Sequence, residues 1–472
     1  MKLHYHKDID PQWAWAEYKP TAQTPWTMKQ VAHLYRRAGW GANWTELQAA
    51  LKNGPTQTID LLMTGKPGLK AFQTRVAKLA APLEETADEH RLRAWWLYVM
   101  MNSPHPLLER MTLFWHNHFA TSNAKVQHVG RMYRQNQLIR THALKRFGPM
   151  LHAISEDPAM MVWLDTVSNR KKTPNENYAR ELMELFSLGI DQYTEQDIRE
   201  AARAFAGWGI KNDAFHVYQE DIDSDSKKVF GKAGSFDGHQ IVDMCLDKKT
   251  CASFLSRKLF KHFMSDTLVP DDALIQPLAE RFYKSQYDIA DLVGVMLRSN
   301  LFFSPDCYRA KIKSPVEFGL SVVHMLEGRV DTIQFAEMLD PLGQRLFAPP
   351  SVKGWDGGAQ WLNSSTLLLR HNLCLALSST EDQRILNRCD PSRLVKKHKT
   401  GAQSELAPVV TMLSELLLQN DLPATTRERL QLRMKQLREQ KYARYWNAEL
   451  IMEYQIRSMC HLIMTLPEFQ LL

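Results

Sequence analysis

Apolar residues recur every three to four positions along most of this chain and switch to alternation only once. RLRAWWLYVMMNSPHPLLERMTLFWHNH, SFLSRKLFKHFMS, IADLVGVMLRSNLFF and SPVEFGLSVVHML all carry the helical period. The stretch 214–231, AFHVYQEDIDSDSKKVFG, alternates about a polar turn and predicts a single β-hairpin at about 213–236. The expected fold class is mainly α, a large multi-helix bundle-like body with one small β-hairpin insertion. Residues 1–30, with Trp13, Trp15 and Trp26, read as an extended arm held to the body by its indoles. Residues 31–392 are expected to form the helical core domain and 393–407 a linker. Residues 408–472 are expected to be a helical segment packed on the core.

The stretch 173–208, TPNENYARELMELFSLGIDQYTEQDIREAARAFAGW, predicts two helices joined as an antiparallel hairpin. Thr173 through Glu176 has the form of a capping box with Pro174 at the first helical position. Gly189 suits a helix end, and Thr194 through Asp197 opens the second helix. Tyr178, Leu182, Met183, Leu185 and Phe186 fall on one broad side. Asn177, Arg180, Glu181 and Glu184 gather on another. That polar stripe is either a solvated face or a buried polar site. Two carboxylates one turn apart repel unless a cation, a proton or a metal intervenes.

His116 and His118 invite a metal reading, which the helical wheel resists. His118 shares a face with Leu107, Met111, Phe114 and Trp115, whereas His116 points the other way with Glu109 and Thr112. Both reach one site only if the helix breaks near Asn117. A lone His on an apolar face is otherwise a hydrogen-bonded core residue. Residues 126–154 are expected to form a basic amphipathic helix with a solvated face carrying Arg131, Arg134, Arg140, Lys145 and Arg146. Asp165, just before the polar stripe, is a candidate third carboxylate.

Two glycine-rich corners stand out. In HLYRRAGWG (33–41) a turn precedes a helix capped by Asn43 and Glu46. Arg36 and Arg37 there either hold an anion or lie in solvent at a plain corner. In PPSVKGWDGG (349–358), Trp355 and Trp361 surround three glycines that line a pocket or lock a bend. Neither corner is a dinucleotide fingerprint, and GKAGS (231–235) has its Gly and Lys in the wrong order for a P-loop. Asp221, Asp223 and Asp225 begin like a calcium loop, but Ser226 and Lys232 stand where Gly and Glu are needed.

Composition narrows the function classes. Of 472 residues, 59 are Lys or Arg and 52 Asp or Glu, a net charge of +7. That is too diffuse for a nucleic-acid stripe yet compatible with an anionic ligand. The six cysteines have no close metal spacing and read as reduced, buried thiols. No apolar run suggests a membrane span or a leader, so a cytoplasmic location is the default expectation.

HLYRRAGWG, ERMTLFWHNHFATS (109–122), NENYARELMELFSLG (175–189), GKAGSFDG (231–238), SRKL (256–259), KSPVEF (313–318), PPSVKGWDGG and LPEFQ (466–470) occur in this order. Together they resemble the bacterial domain-of-unknown-function family 1800, its planctomycete-type members especially. The resemblance implies a mostly helical fold and gene neighbourhood with family 1501, itself similar to alkaline phosphatases and sulfatases. It also implies export for many relatives, which an unseen leader would allow here.

Two functions follow as expectations. The first is an enzyme with a polar site between bundle helices, dependent on acid/base groups or on a divalent metal. Its catalytic candidates are Glu181, Glu184, Arg180 and His118. Arg36, Arg37, Asn177 and Trp355 would bind substrate, and His116, His118, Glu181 and Asp165 would hold the metal. The second is a non-catalytic scaffold that docks a family-1501 partner.

Overall fold

Helix after helix begins where the sequence supplies a side-chain acceptor for its free N–H groups. The computed structural model describes residues 9–379, 388–398, 406–419, 421, 423–439 and 446–472. Asn43 with Glu46, Thr194 with Asp197, Asp237 with Gln240 and Ser314 with Glu317 each form a reciprocal capping box. The protein is mainly α, and its described strands form two small antiparallel pairs.

The helix Pro106–His118 is the axis of the core. It packs against Glu89–Asn102, Val129–His142, Met28–Ala38 and Trp44–Thr64. Burial extends well beyond its apolar face: His116, Glu109 and Thr112 are as enclosed as Trp115 and Met111, while Phe114 and Asn117 are half-buried. Trp96, Trp115, Phe119, Phe147 and Phe186 are fully buried around it. A helix so enclosed keeps its polar residues only where each finds a partner. Glu109 accepts from Arg140 Nε and Nη2 at 2.8 and 2.9 Å.

That pair also corrects the basic helix expected over 126–154. The segment is three helices, Asn123–Val126, Val129–His142 and Phe147–Ser155. Its cations are not simply solvated. Arg140 is buried on Glu109, while Arg131 and Arg134 both hold Asp213.

The expected hairpin is differently paired. Ala214–Val217 pairs back with Trp208–Lys211, and Lys227–Val229 pairs forward with Lys232–Gly234. The two stretches that alternate therefore belong to different sheets. Two-residue turns with positive φ decide this, Asn212-Asp213 (52° and 59°) and Phe230-Gly231 (49° and 79°). Asp221 and Asp223, rejected as calcium ligands, are ion-paired to Arg170 and Arg203.

The helix expected from Thr173 begins instead at Asn177. Thr173 turns back on Arg170 in a short antiparallel bridge, and Asn175 Oδ1 accepts from Asn177 N at 2.9 Å. After Glu181 the backbone widens into a π-helix, Leu182–Ser187, before Gly189 at φ 87° ends it. The second helix, Glu195–Ala204, packs beside the first as the sequence predicts.

In the N-terminal stretch, Trp15 and Trp26 donate to the Leu274 and Ala50 carbonyls, while Trp13 stays exposed. Of the expected linker, residues 399–405 lie outside the described residues, and the residues before them end the helix Pro391–Lys397. All six cysteines are buried and unpaired.

Candidate functional site

A π-helix bonds each carbonyl to the N–H five residues on and, like any helix, leaves carbonyls at its end without helical partners. Those of Leu185 and Phe186 are met by side chains from two other helices. His118 Nε2 lies 3.1 Å from the Phe186 oxygen, and Lys258 Nζ donates to the Leu185 oxygen at 3.0 Å. Lys258 Nζ is also 3.0 Å from His118 Nδ1. With Nε2–H donating to a carbonyl, Nδ1 is the acceptor face of a neutral imidazole. Burial and the Lys258 charge hold the His118 pKa well below the usual histidine range.

His118 and Lys258 stand at the wall of a cleft of about 310 Å³. The helix Lys249–Phe263 contributes Lys258, Lys261 and His262, spaced to share one face. Lys311 comes from the loop before the helix Pro315–Met325, Ser314 and Glu317 from that helix's capping box, and Lys353, Trp355, Asp356 and Trp361 from the second glycine-rich corner.

The corner is latched to the core helix. Trp355 N donates to Asn117 Oδ1 at 2.7 Å, and Asn117 Nδ2 donates to the Trp355 oxygen at 3.3 Å. Gly354, at φ 80°, permits the approach, since a Cβ there would stand 2.2 Å from Asn117 Oδ1.

The charges of the cleft are unequal. Asp266 is occupied by Lys311, and Glu317 by Arg110 and the Ser314 N–H. Among the described residues, Lys258, Lys261 and Lys353 have no carboxylate within ion-pair distance. The cleft therefore offers the ammonium groups of Lys258, Lys261 and Lys353 outside any ion pair, against the carboxylate of Asp356 and, for Lys353, the more distant charge of Glu181. His262 Nε2 is buried without a hydrogen-bond partner. Burial, with Arg110, Lys311 and Arg37 behind it, keeps that ring neutral. Burial and the neighbouring Lys261 charge push the Lys258 pKa down to about 8.

The sequence-derived candidates divide. His118 and Trp355 reach the cleft. Glu181, the last residue of the α-helix, and Glu184, in the π-helical segment, are half-buried, but His118 meets the π-helical segment through its backbone and not its carboxylates. Glu184 accepts from the Tyr193 hydroxyl at 2.8 Å. Burial and the Glu184 charge raise the Glu181 pKa. Arg180 is held by Glu195 and Glu176, and exposed Asn177 donates to Asp165 at 3.3 Å.

Asp165 pairs with Lys125 at 2.8 Å. His116 accepts from Phe347 N at 3.3 Å, and burial takes its pKa down to about 3. The four residues expected to hold a metal are thus not brought into one ligand set. Among the described residues no group of three or more His, Cys, Asp or Glu is placed to hold a metal ion.

Arg36 and Arg37 are neither solvated nor in the cleft. Both are buried, Arg36 against Gln419 and Tyr308, and Arg37 on the carbonyls of Phe263 and Cys307 at 3.1 and 2.6 Å. Lys258, Lys261 and Lys353 were missed. SRKLFKHF does carry Lys258, Lys261 and His262 at helical spacing, a signal that looks like an ordinary amphipathic helix.

The fold and cleft define a large helical protein with a lysine-lined pocket beside a histidine–lysine pair. Among the described residues no helix is long and apolar enough to cross a membrane. The chain belongs to the family described as Protein of unknown function (DUF1800), whose model matches residues 33–471. No curated protein and no solved structure matches it.

Proposed function

We propose that the protein is an acid/base enzyme acting on a small anionic molecule in the lysine-lined cleft. Lys258 gives and takes the proton, and His118 positions it. The carrying observation is the placement of Lys258 Nζ, half-buried on the cleft wall between His118 Nδ1 and the Leu185 oxygen, with no carboxylate to stabilise its charge. A lysine with its pKa near 8 exchanges protons near neutral pH, as a general base must. Lys261 and Lys353 supply the charge that holds an anion, and Phe114, Trp355 and Trp361 the apolar wall. Glu181 and Glu184 are supporting groups in this reading, since no substrate-facing position is assigned to them.

Competitive acetylation across a pH series, read residue by residue by mass spectrometry, tests this. Lys258 is expected to reach half-maximal reactivity near pH 8, against about 10.4 for exposed lysines. The groups facing it are His118, Lys261, the end of the π-helix and the Phe254 ring, whose centroid is 4.7 Å from Nζ. None is an anion within ion-pair distance that would restore an ordinary lysine pKa. Reactivity that rises with that of the exposed lysines overturns the reading.

A docking role beside a family-1501 partner draws on a different place. Leu375 and Leu450, 40% and 49% exposed, flank a groove of about 420 Å³ between the helices Ser364–Ser378 and Ala448–Thr465.

A further inference from the structure

Resting on the reading of the cleft as a proton-transfer site for an anion, we infer that Lys258 is also a nucleophile. It forms an imine with a small molecule that carries an aldehyde or ketone together with an anionic group.

The geometry supports this in three ways. Lys258 Nζ lies on the wall of a cleft of about 310 Å³, the size range of small-molecule sites. Its two acceptors, His118 Nδ1 and the Leu185 oxygen, both at 3.0 Å, use the two N–H bonds of a neutral amine. The remaining tetrahedral position then carries the lone pair. Anchors for the anionic end stand close by: Lys261 is one turn along the same helix, and Lys353 lies on the latched corner. A desolvated lysine beside a second cation is the usual way an amine is made nucleophilic at neutral pH.

The step balances without an outside oxidant or reductant. The Lys258 ammonium gives its third proton, the one that neither His118 Nδ1 nor the Leu185 oxygen accepts, to a water molecule of the cleft. The freed lone pair attacks the carbonyl carbon, forming C–N, and the C=O π pair moves to oxygen, which takes a proton back from that water. The nitrogen then passes a second proton through water to the hydroxyl, C–O breaks, and water leaves, with His118 and the Leu185 oxygen holding the amine in place. The net change is ammonium plus carbonyl to iminium plus water. The iminium withdraws electrons from the adjacent carbon, so loss of a proton or of carboxylate there is the chemistry it promotes.

The test uses the full chain and pyridoxal 5′-phosphate, a probe with an aldehyde and a phosphate. The protein is incubated with the probe, reduced with borohydride, digested and mapped. Most reduced adduct is expected on Lys258, saturating with dose and suppressed by inorganic phosphate. Lys258→Arg is expected to lower total adduct at least tenfold. Adduct spread over exposed lysines in proportion to their exposure, without saturation, overturns the inference, and needs only the unaltered protein to be seen. The acetylation series separates the two claims. Lys258 titrating near pH 8 but refusing the aldehyde sinks the imine alone, and titration with the exposed lysines sinks both.

Discussion

A buried ionisable side chain shows whether its site was built for the charged form or the neutral one. Asp157 caps the helix Pro158–Trp163 through Met160 N at 2.9 Å and accepts from Gln135 at 2.8 Å. Burial outweighs these bonds and raises its pKa from 3.8 to about 6. The raised folded value means that this residue's stabilising contribution is complete below about 4. It is lost as pH rises through about 6. Asp157→Asn keeps a capping oxygen and removes the titration. It is expected to stabilise the protein by about 1–2 kcal/mol at pH 8 and by progressively less toward pH 4. Thermal melts of both proteins across that range check the crossover. Nothing in the pattern DPAMMVW marks this aspartate as enclosed, because a capping role reads the same in either environment.

At the scale of elements, local chemistry was legible and long-range partners were not. Capping boxes at Asn43, Thr194 and Ser314 declare themselves by spacing alone, and all three form. The start of the helix at Asn177 does not, since Thr173 is drawn back to Arg170 by a contact that competes with its cap. The π-helix is equally silent: its register depends on Ser187, whose hydroxyl bonds the Leu182 oxygen, and on the side chains that meet its last carbonyls.

The glycine corner at 354–358 was visible as a bend, but its latch to Asn117 was not. Gly354→Ala is expected to cost roughly 2–4 kcal/mol, from the left-handed backbone and the clash with Asn117. Denaturant unfolding measures it. An unchanged midpoint would mean that the corner is not held as described.

Across the whole molecule, cations are buried in excess around the cleft. Arg36, Arg37, Arg110, Lys311, Lys313 and Arg370 all lie within the body. Most are satisfied by carbonyls, amides or aromatic rings; Lys313, for example, sits 3.7 Å above the Phe469 ring. The sequence offers Arg36 and Arg37 as visible features of a turn, but their role as ties to Gln419, Phe263 and Cys307 belongs to chain distances of more than 200 residues.

Arg110 and Glu317 form one of the enclosed ion pairs in this region. Glu317→Gln leaves the guanidinium enclosed without its counter-ion and is expected to destabilise by roughly 3–5 kcal/mol. Adding Arg110→Met should recover much of that loss in chemical denaturation. A double variant no better than Glu317→Gln would show that the pair's charge is not what matters.

The latch between Asn117 and Trp355 has a kinetic meaning as well. A pocket wall that is already fastened before anything enters gives up none of its freedom at the moment of capture. Association should therefore be governed by diffusion and by the attraction of the cleft's amines, and should slow as added salt screens them, with no lag for a closing segment.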